Sequence, residues 1–171
     1  MKRLPALCLL LLMVVGGCGY RVPAQKTAWV GLDHRLLYVE FFVNHTAEPY
    51  LDHFLTEAVV RQLARSRQFE LTEDRQAADL VLTGSALRFE SRPSAYDRQD
   101  RIAEYEAVLE IRARLEETGD GSVLWQEELL RSENYPAADD KNRQLEFRSR
   151  VAGLAAARLA EDLQARLLDA F

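Results

Sequence analysis

Cys18 is the residue whose chemistry is most narrowly defined by its neighbours. It follows the small residues Gly16 and Gly17, and the aliphatic Val15 lies three positions before it. This is the pattern of a bacterial lipobox, in which the cysteine thiol accepts a diacylglyceryl group. The chain is then cut before the cysteine, and the new amino terminus is acylated. The pattern therefore predicts that Cys18 is lipidated and becomes the first residue of the mature protein.

The segment before Cys18 has the order of a secretory signal peptide. Lys2 and Arg3 form a basic start, an apolar run follows from Leu7 to Val15, and small residues precede the cut. A membrane-spanning helix is the competing interpretation, but it needs about 20 apolar residues, and this run is shorter. We therefore expect residues 1–17 to be removed.

The mature composition limits the classes of function. Removing residues 1–17 from a chain of 171 leaves 154, enough for one domain with its own core. The removed segment carries two basic and no acidic side chains, so the formal net charge changes from −5 to −7. Such a chain is not expected to bind nucleic acid, because phosphate binding needs a basic surface. Cys8 lies in the removed segment, so no disulfide within the chain is expected.

The side chains that could support catalysis or metal binding do not form a persuasive set. The imidazoles lie near the first predicted strand and helix, without cysteines or paired carboxylates at ligand spacing: His34, His45 and His53. Ser85 follows Gly84 but lacks the second glycine of a nucleophile elbow. Three carboxylates share a predicted strand face: Glu104, Glu106 and Glu110. A pair of them could in principle act as in a glycosidase, but a solvated row of charges on an exposed sheet face is the commoner arrangement. We expect no enzyme activity, no metal and no cofactor.

Arginines are the candidate binding residues. Arg112 and Arg114 share the charged strand face with those carboxylates, and Arg88 and Arg92 lie around a polar stretch that is predicted to be a loop, Ser91 to Asp100. Guanidinium groups on a rigid sheet suit bidentate binding of phosphate or carboxylate. A solvated surface of mixed charge is the other interpretation of the same residues.

The elements that must position these arginines follow from hydrophobic periodicity. The clearest is a strand in which apolar residues from Tyr105 to Leu115 alternate with residues that are charged apart from Val108, so one face is apolar and the other charged. The remaining elements, in chain order, are a strand at Leu36 to Val43, a helix opened by Glu48-Pro49, a short strand at Phe69 to Thr72, a strand at Leu80 to Phe89, a hairpin partner at Val123 to Arg131, and a helix from about Lys141 to Leu168.

The longer elements follow the order β-α-β-β-β-α, which predicts an α+β fold. We expect a two-layer sandwich in which two helices pack on one face of a four-stranded, mostly antiparallel sheet, leaving the other face open and charged. The apolar stripe of the last helix comprises Val151, Leu154, Ala155, Leu159, Leu163 and Leu167. The expected domains are a signal peptide at 1–17, a lipidated tether at 18–33 and a single α+β domain at 34–171.

Several short motifs, in order, resemble the lipopolysaccharide-assembly lipoprotein family LptE. They are Cys18-Gly19-Tyr20-Arg21-Val22, Phe42-Val43-Asn44-His45-Thr46, Glu48-Pro49 and Leu55-Thr56-Glu57. The resemblance implies an outer-membrane lipoprotein, on the periplasmic side, that sits as a plug inside the β-barrel LptD and assists its assembly and the delivery of lipopolysaccharide to the outer leaflet. It also implies that basic residues touch lipopolysaccharide phosphates, a role that maps loosely onto Arg88, Arg92, Arg112 and Arg114.

A second resemblance leads to a different class of function. The stretch from Val39 to Gly84 also looks like small lipoproteins that regulate peptidoglycan synthases or form parts of secretion channels. Such modules commonly continue with further helices between strands, whereas this chain continues as a long hairpin and one helix. The barrel-partner interpretation is therefore favoured, with the regulator as the alternative.

Overall fold

The computed structural model describes residues 35–66 and 68–170. The expected signal peptide, lipidated Cys18, tether and His34 lie outside the described residues. The strands are β1 (Arg35–Val39), β2 (Val43–Asn44), β3 (Phe69–Leu71), β4 (Leu80–Tyr96), β5 (Ile102–Glu117) and β6 (Val123–Pro136). The helices are α1 (Leu51–Leu63), which begins two residues after Pro49 rather than with it, and α2 (Lys141–Ala170).

The strands form one sheet with the order β3-β1-β4-β5-β6, and β2 also pairs with β4. The long β4–β5 and β5–β6 pairings are antiparallel, whereas the short pairings of β1 with β3 and β4, and of β2 with β4, are parallel. The α+β prediction is thus confirmed, with two helices and a mostly antiparallel sheet. The predicted count of four strands is wrong, because the described sheet contains six.

The two helices lie side by side on one face of the sheet, as predicted. α1 contacts β1 to β4, and α2 contacts β5, β6 and α1. The alternation in β5 places its apolar series against the helices, where these residues are buried: Ala107, Leu109, Ile111, Ala113 and Leu115. The same hydrophobic cluster contains the inward residues of both helices. Burial of this face by the chain's own helices leaves the opposite face of the sheet open.

The predicted first strand is divided because Phe42 turns away from the sheet ladder. Its backbone N–H donates to Thr56 Oγ1 of α1 at 2.9 Å, instead of to β4. The buried ring lies over Gly84 of β4, where a Cβ would come within 2.1 Å of Phe42 Cε1. Glycine at position 84 therefore makes room for the ring, and β1 and β2 become separate strands along one side of β4.

The polar stretch predicted as a loop at Ser91 to Asp100 is mostly strand. β4 continues to Tyr96 and remains paired with β5, with Arg92 opposite Glu106 and Pro93 opposite Tyr105. Beyond β2 this part of β4 has no strand on its other side among the described residues. Proline is tolerated there because no ladder hydrogen bond is lost. β4, β5 and β6 thus form a three-stranded arm, and the connecting turn is confined to residues 97–101.

Helix α2 agrees closely with its predicted extent. Asp140 caps it, since its Oδ1 accepts the backbone N–H of Arg143 at 2.9 Å. Its buried stripe includes Val151, Ala155, Leu159, Leu163 and Leu167 as expected. Leu154 departs from the prediction, because 43% of it is exposed beside a shallow apolar groove.

Candidate functional site on the open face of the sheet

The four candidate arginines lie on the same face of the sheet, the one that the helices leave uncovered. The register sets Arg88 opposite Glu110, Arg92 opposite Glu106, and Arg112 opposite Glu128. Arg114 lies two residues after Arg112 on β5 and shares its face. We call this surface the open face. It is formed by the residues of β4, β5 and β6 that alternate with the buried ones.

Each of these arginines is paired with a carboxylate of the open face. Arg88 contacts Glu110 at 3.0 Å, and Arg92 contacts Glu106 at 2.6 Å. Arg112 holds Glu128 Oε1 through both Nε, at 3.0 Å, and a terminal nitrogen, at 2.5 Å. The fourth pair joins Arg114 to Glu116. The face is therefore a lattice of cross-strand and same-strand ion pairs.

The open face carries more carboxylates than guanidinium groups. Against the four arginines stand six glutamates: Glu90, Glu104, Glu106, Glu110, Glu116 and Glu128. An incoming phosphate would have to displace a carboxylate from an arginine. Exposed ion pairs of this kind contribute only about 0.2–1 kcal/mol each, so such an exchange is not costly. The arrangement suits polar contact with a charged, hydrated surface of another molecule better than tight binding of a free anion.

Exposed apolar side chains lie on or beside the open face, and they include Val123 opposite Glu116 at the end near the β5–β6 turn. Two others lie next to the arginine pairs. Val43 lies opposite Ser85 at the β2 side and is 52% exposed, and Leu130 lies opposite Glu110 at the β6 side and is 55% exposed. Sequence reasoning missed both, because their position on this face depends on register. Leu130 breaks the alternation of β6, where the preceding Leu129 is buried. That pair of leucines is the signal that could have indicated an exposed apolar contact.

The loop between β2 and α1 holds a second arrangement that sequence reasoning missed. Asn44 Nδ2 donates to the carbonyl of Glu48 at 2.8 Å, and the N–H of Glu48 donates to Thr46 Oγ1 at 3.1 Å. These bonds direct the Glu48 side chain inward, where it accepts from Arg148 Nε at 2.6 Å. Arg148 in turn lies over the ring of Phe89. These motif residues therefore connect β2 and the loop before α1 to α2 and, through Arg148, to β4.

The described residues contain no assembled catalytic set. His45 and His53 are exposed, and His53 is 3.7 Å from Glu57 of its own helix. Ser85 has no imidazole hydrogen-bonded to it in this part of the chain. Within residues 35–66 and 68–170, no group of His, Cys, Asp and Glu side chains is arranged to hold a metal ion.

Two carboxyls have pKa values below the usual range, and both lie in turns outside the open face. The backbone N–H of Arg101 lowers the pKa of Asp97, and the backbone N–H of Ser122 lowers that of Asp120. These shifts reflect turn hydrogen bonds rather than a reactive site. In the described part of the chain, neither helix has the length and apolar character needed to cross a membrane.

The sequence matches a protein-family model, and the fold resembles those of solved structures. The family model "LptE: Lipopolysaccharide-assembly" matches residues 35–170. The structure resembles rare lipoprotein B from Shewanella oneidensis, with a TM-score of 0.55 at 13% identity over 79% of this chain and 95% of that one. It also resembles a Xanthomonas campestris protein, with a TM-score of 0.58 at 16% identity over 85% and 89% of the two chains.

A third similar structure is a hypothetical protein from Chlamydia trachomatis, with a TM-score of 0.55 at 17% identity over 78% of this chain and 95% of that one. At these identities the likenesses establish the fold alone. No curated protein sequence is a recognisable relative of the chain.

Proposed function

The chain belongs to the LptE family of lipopolysaccharide-assembly proteins, which are not enzymes, and from this premise we propose a specific role for it. It is an outer-membrane lipoprotein, anchored through lipidated Cys18 on the periplasmic side, whose domain at 34–171 plugs the β-barrel LptD. There it assists assembly of the barrel and delivery of lipopolysaccharide to the outer leaflet.

The ion-paired open face is the observation that carries the plug proposal. Large barrels have polar, water-filled interiors. A domain inserted there has to present charged groups to the wall without burying unpaired charge, and the four arginine–carboxylate pairs meet that condition. The chain's own helices cover its apolar face, so its core does not depend on the barrel. Val43 and Leu130 supply two exposed apolar contacts among the charges.

The topology suggests which end of the domain stays near the anchor. β1 begins at Arg35, whose guanidinium is 3.0 Å from Glu117 at the end of β5. The chain thus enters the sheet beside the β5–β6 turn, at the opposite end from the turn at residues 97–101. If residues 18–33 form the tether, the lipid lies at the β5–β6 turn end. The arm then extends away from the inner leaflet and into the barrel.

The arginines have a conditional role in this proposal. Arg88, Arg92, Arg112 and Arg114 are held by exposed carboxylates, and exposed pairs are readily exchanged. Carboxylates of the barrel wall or phosphates of lipopolysaccharide could therefore replace those partners one at a time. Contact would be reversible, as a transport step requires.

The test is photo-crosslinking in the native envelope, combined with purification in mild detergent and mass spectrometry. A photoreactive residue replaces Ser132 on the open face, and a matched one replaces Asp120 in the β5–β6 turn. We expect Ser132 to form an adduct with one large outer-membrane barrel and Asp120 to form little. Recovery of a peptidoglycan synthase or a secretion component, with no barrel adduct at Ser132, would contradict the proposal.

A further inference from the structure

The outer edge of β6 is the longest unpaired strand edge in the described part of the molecule. β6 has 14 residues and pairs through one side with β5, and it is the last strand in the sheet order. Every second residue of such an edge has its N–H and C=O directed away from the sheet. The opposite side of the sheet offers the three-residue β3 and the part of β4 beyond β2, which is shorter than β6 and is interrupted by Pro93.

A groove runs beside this edge, between β6 and the C-terminal half of α2. Its volume is about 580 Å³, and its lining includes Glu128 and Arg131 from the strand and Asp162, Arg166 and Asp169 from the helix. A strand added to β6 would direct alternate side chains into this groove. The groove is polar, so those side chains would have to be polar as well.

The side of the molecule around the groove is acidic. β6 and the second half of α2 carry six carboxylates, Glu127, Glu128, Glu133, Glu161, Asp162 and Asp169, against three arginines, Arg131, Arg158 and Arg166. All three arginines are already bound: Arg131 to Asp162 and Glu133, Arg158 to Glu133, and Arg166 to Glu127. The same contacts occupy Glu127, Glu133 and Asp162, and Glu128 is paired with Arg112 of β5. Among the described residues that line the groove, Asp169 is the carboxylate outside these pairs, so a ligand entering the groove meets a net negative charge centred on Asp169.

This negative charge distinguishes between two kinds of strand that could pair with the edge, a second copy of the chain and a basic segment. A second copy of the chain would bring an equally acidic side against this one, and like charges placed across strands are destabilising. Charges on the helix-facing side of β6, such as Glu127 and Glu133, add to that protection against self-association. An extended segment with Lys or Arg at alternate positions would meet carboxylates and complete the ladder.

We propose that the outer edge of β6 binds an extended basic segment of a partner protein, which adds as a seventh strand with its Lys and Arg side chains over the α2 groove. Main-chain hydrogen bonds supply the attachment, and the acidic groove selects the side chains. The inference does not depend on the barrel or on lipopolysaccharide, since it uses only the edge and the groove.

The proposal is tested with the full lipidated protein in detergent and a 12-residue peptide of alternating lysine and threonine. One comparison peptide has the same composition arranged as a lysine block and a threonine block. Two others carry N-methyl groups on all lysine or all threonine amides, and each blocks one edge of the strand. We expect the alternating peptide to bind at least about tenfold more tightly than the block peptide, which corresponds to about 1.4 kcal/mol. At least one N-methylated peptide should lose binding by a similar factor.

Two charge reversals of the protein complete the experiment. Asp169→Lys in the groove should weaken binding of the alternating peptide several-fold, whereas Glu73→Lys, an exposed residue outside the groove, should change it little. Equal binding of the alternating and block peptides would overturn the proposal, because it would indicate attraction by charge alone. Full binding by both N-methylated peptides, or equal effects of the two reversals, would overturn it as well.

Discussion

Glu48 and Arg148, one hundred positions apart in the chain, form a hydrogen-bonded ion pair of 2.6 Å that fastens α2 to the loop before α1. The Glu48 carboxylate is only 6% exposed, and the Arg148 guanidinium also lies over Phe89. Removing Arg148 would leave a buried carboxylate without its partner, and removing Glu48 would leave the partly buried Arg148 guanidinium, 35% exposed, without its hydrogen bond. We therefore expect the pair to contribute to the stability of the folded domain.

We expect Glu48→Ala to lower the free energy of unfolding by about 1.5–3 kcal/mol, the contribution typical of a hydrogen bond to a charged group. Urea unfolding followed by circular dichroism measures the change. Glu57→Ala, which removes the exposed pair with Arg61 on α1, is the control and should cost less than about 0.5 kcal/mol. Equal losses for the two variants would show that the Glu48 pair has no special role.

Gly84→Ala should destabilise the domain, because a Cβ at that position would come within 2.1 Å of the buried Phe42 ring. Overpacking of this kind costs about 1–3 kcal/mol. Gly153→Ala in α2 is the matched change, with no atom within 4 Å of the new methyl group, and it should stabilise the helix by about 0.5–1 kcal/mol. The melting temperatures of the two variants should therefore move in opposite directions.

Arg112→Glu combined with Arg114→Glu should leave the circular dichroism spectrum unchanged and weaken binding to the barrel or to lipopolysaccharide. The reversed residues would face Glu128 and Glu116 and turn this part of the open face strongly acidic. The control is the exchange Arg112→Glu with Glu128→Arg, which preserves both the net charge and the cross-strand pair and should retain most of the binding. Unchanged binding in the double reversal would remove the open face from the interaction.

Leu159→Asp should unfold the domain, since Leu159 is fully buried in α2 and an unpaired buried charge costs several kcal/mol. Leu154→Asp is the comparison on the same helix. Because Leu154 is partly exposed, its replacement should be tolerated with a loss below about 1 kcal/mol. Soluble expression and thermal unfolding distinguish them, and a folded Leu159→Asp protein would contradict the packing described for α2.

The fold was predictable where one face of an element is dry and the other wet. β5 follows its period-two pattern except at Val108, which lies on the open face and is nevertheless buried, and α2 begins at the predicted residue. The predicted end of β4 at Phe89 was wrong because the arm beyond it has few apolar residues. Backbone hydrogen bonds to β5 hold Ser91 to Tyr96 in the sheet. Such bonds do not require apolar side chains, so this part of the strand has no hydrophobic pattern in the sequence.

The site was predictable only in part, for a related reason. The alternation indicated that Arg112 and Arg114 share a charged face, but their partners follow from register, which two irregularities in β4, one in β5 and one in β6 adjust. The Glu48–Arg148 pair joins residues that no local pattern connects. Contacts between distant segments depend on how the helices pack on the sheet, so they can be identified only in the folded structure.

The length of β5 also fixes a distance. Sixteen residues at about 3.3 Å each separate the turn at residues 97–101 from the end where Arg35 enters by roughly 50 Å. The hydrocarbon layer of a bilayer is about 30 Å thick. If Cys18 is lipidated and the domain stands upright in the barrel, as proposed, β5 is longer than this layer is thick, and the turn at residues 97–101 would reach the headgroups of the opposite leaflet.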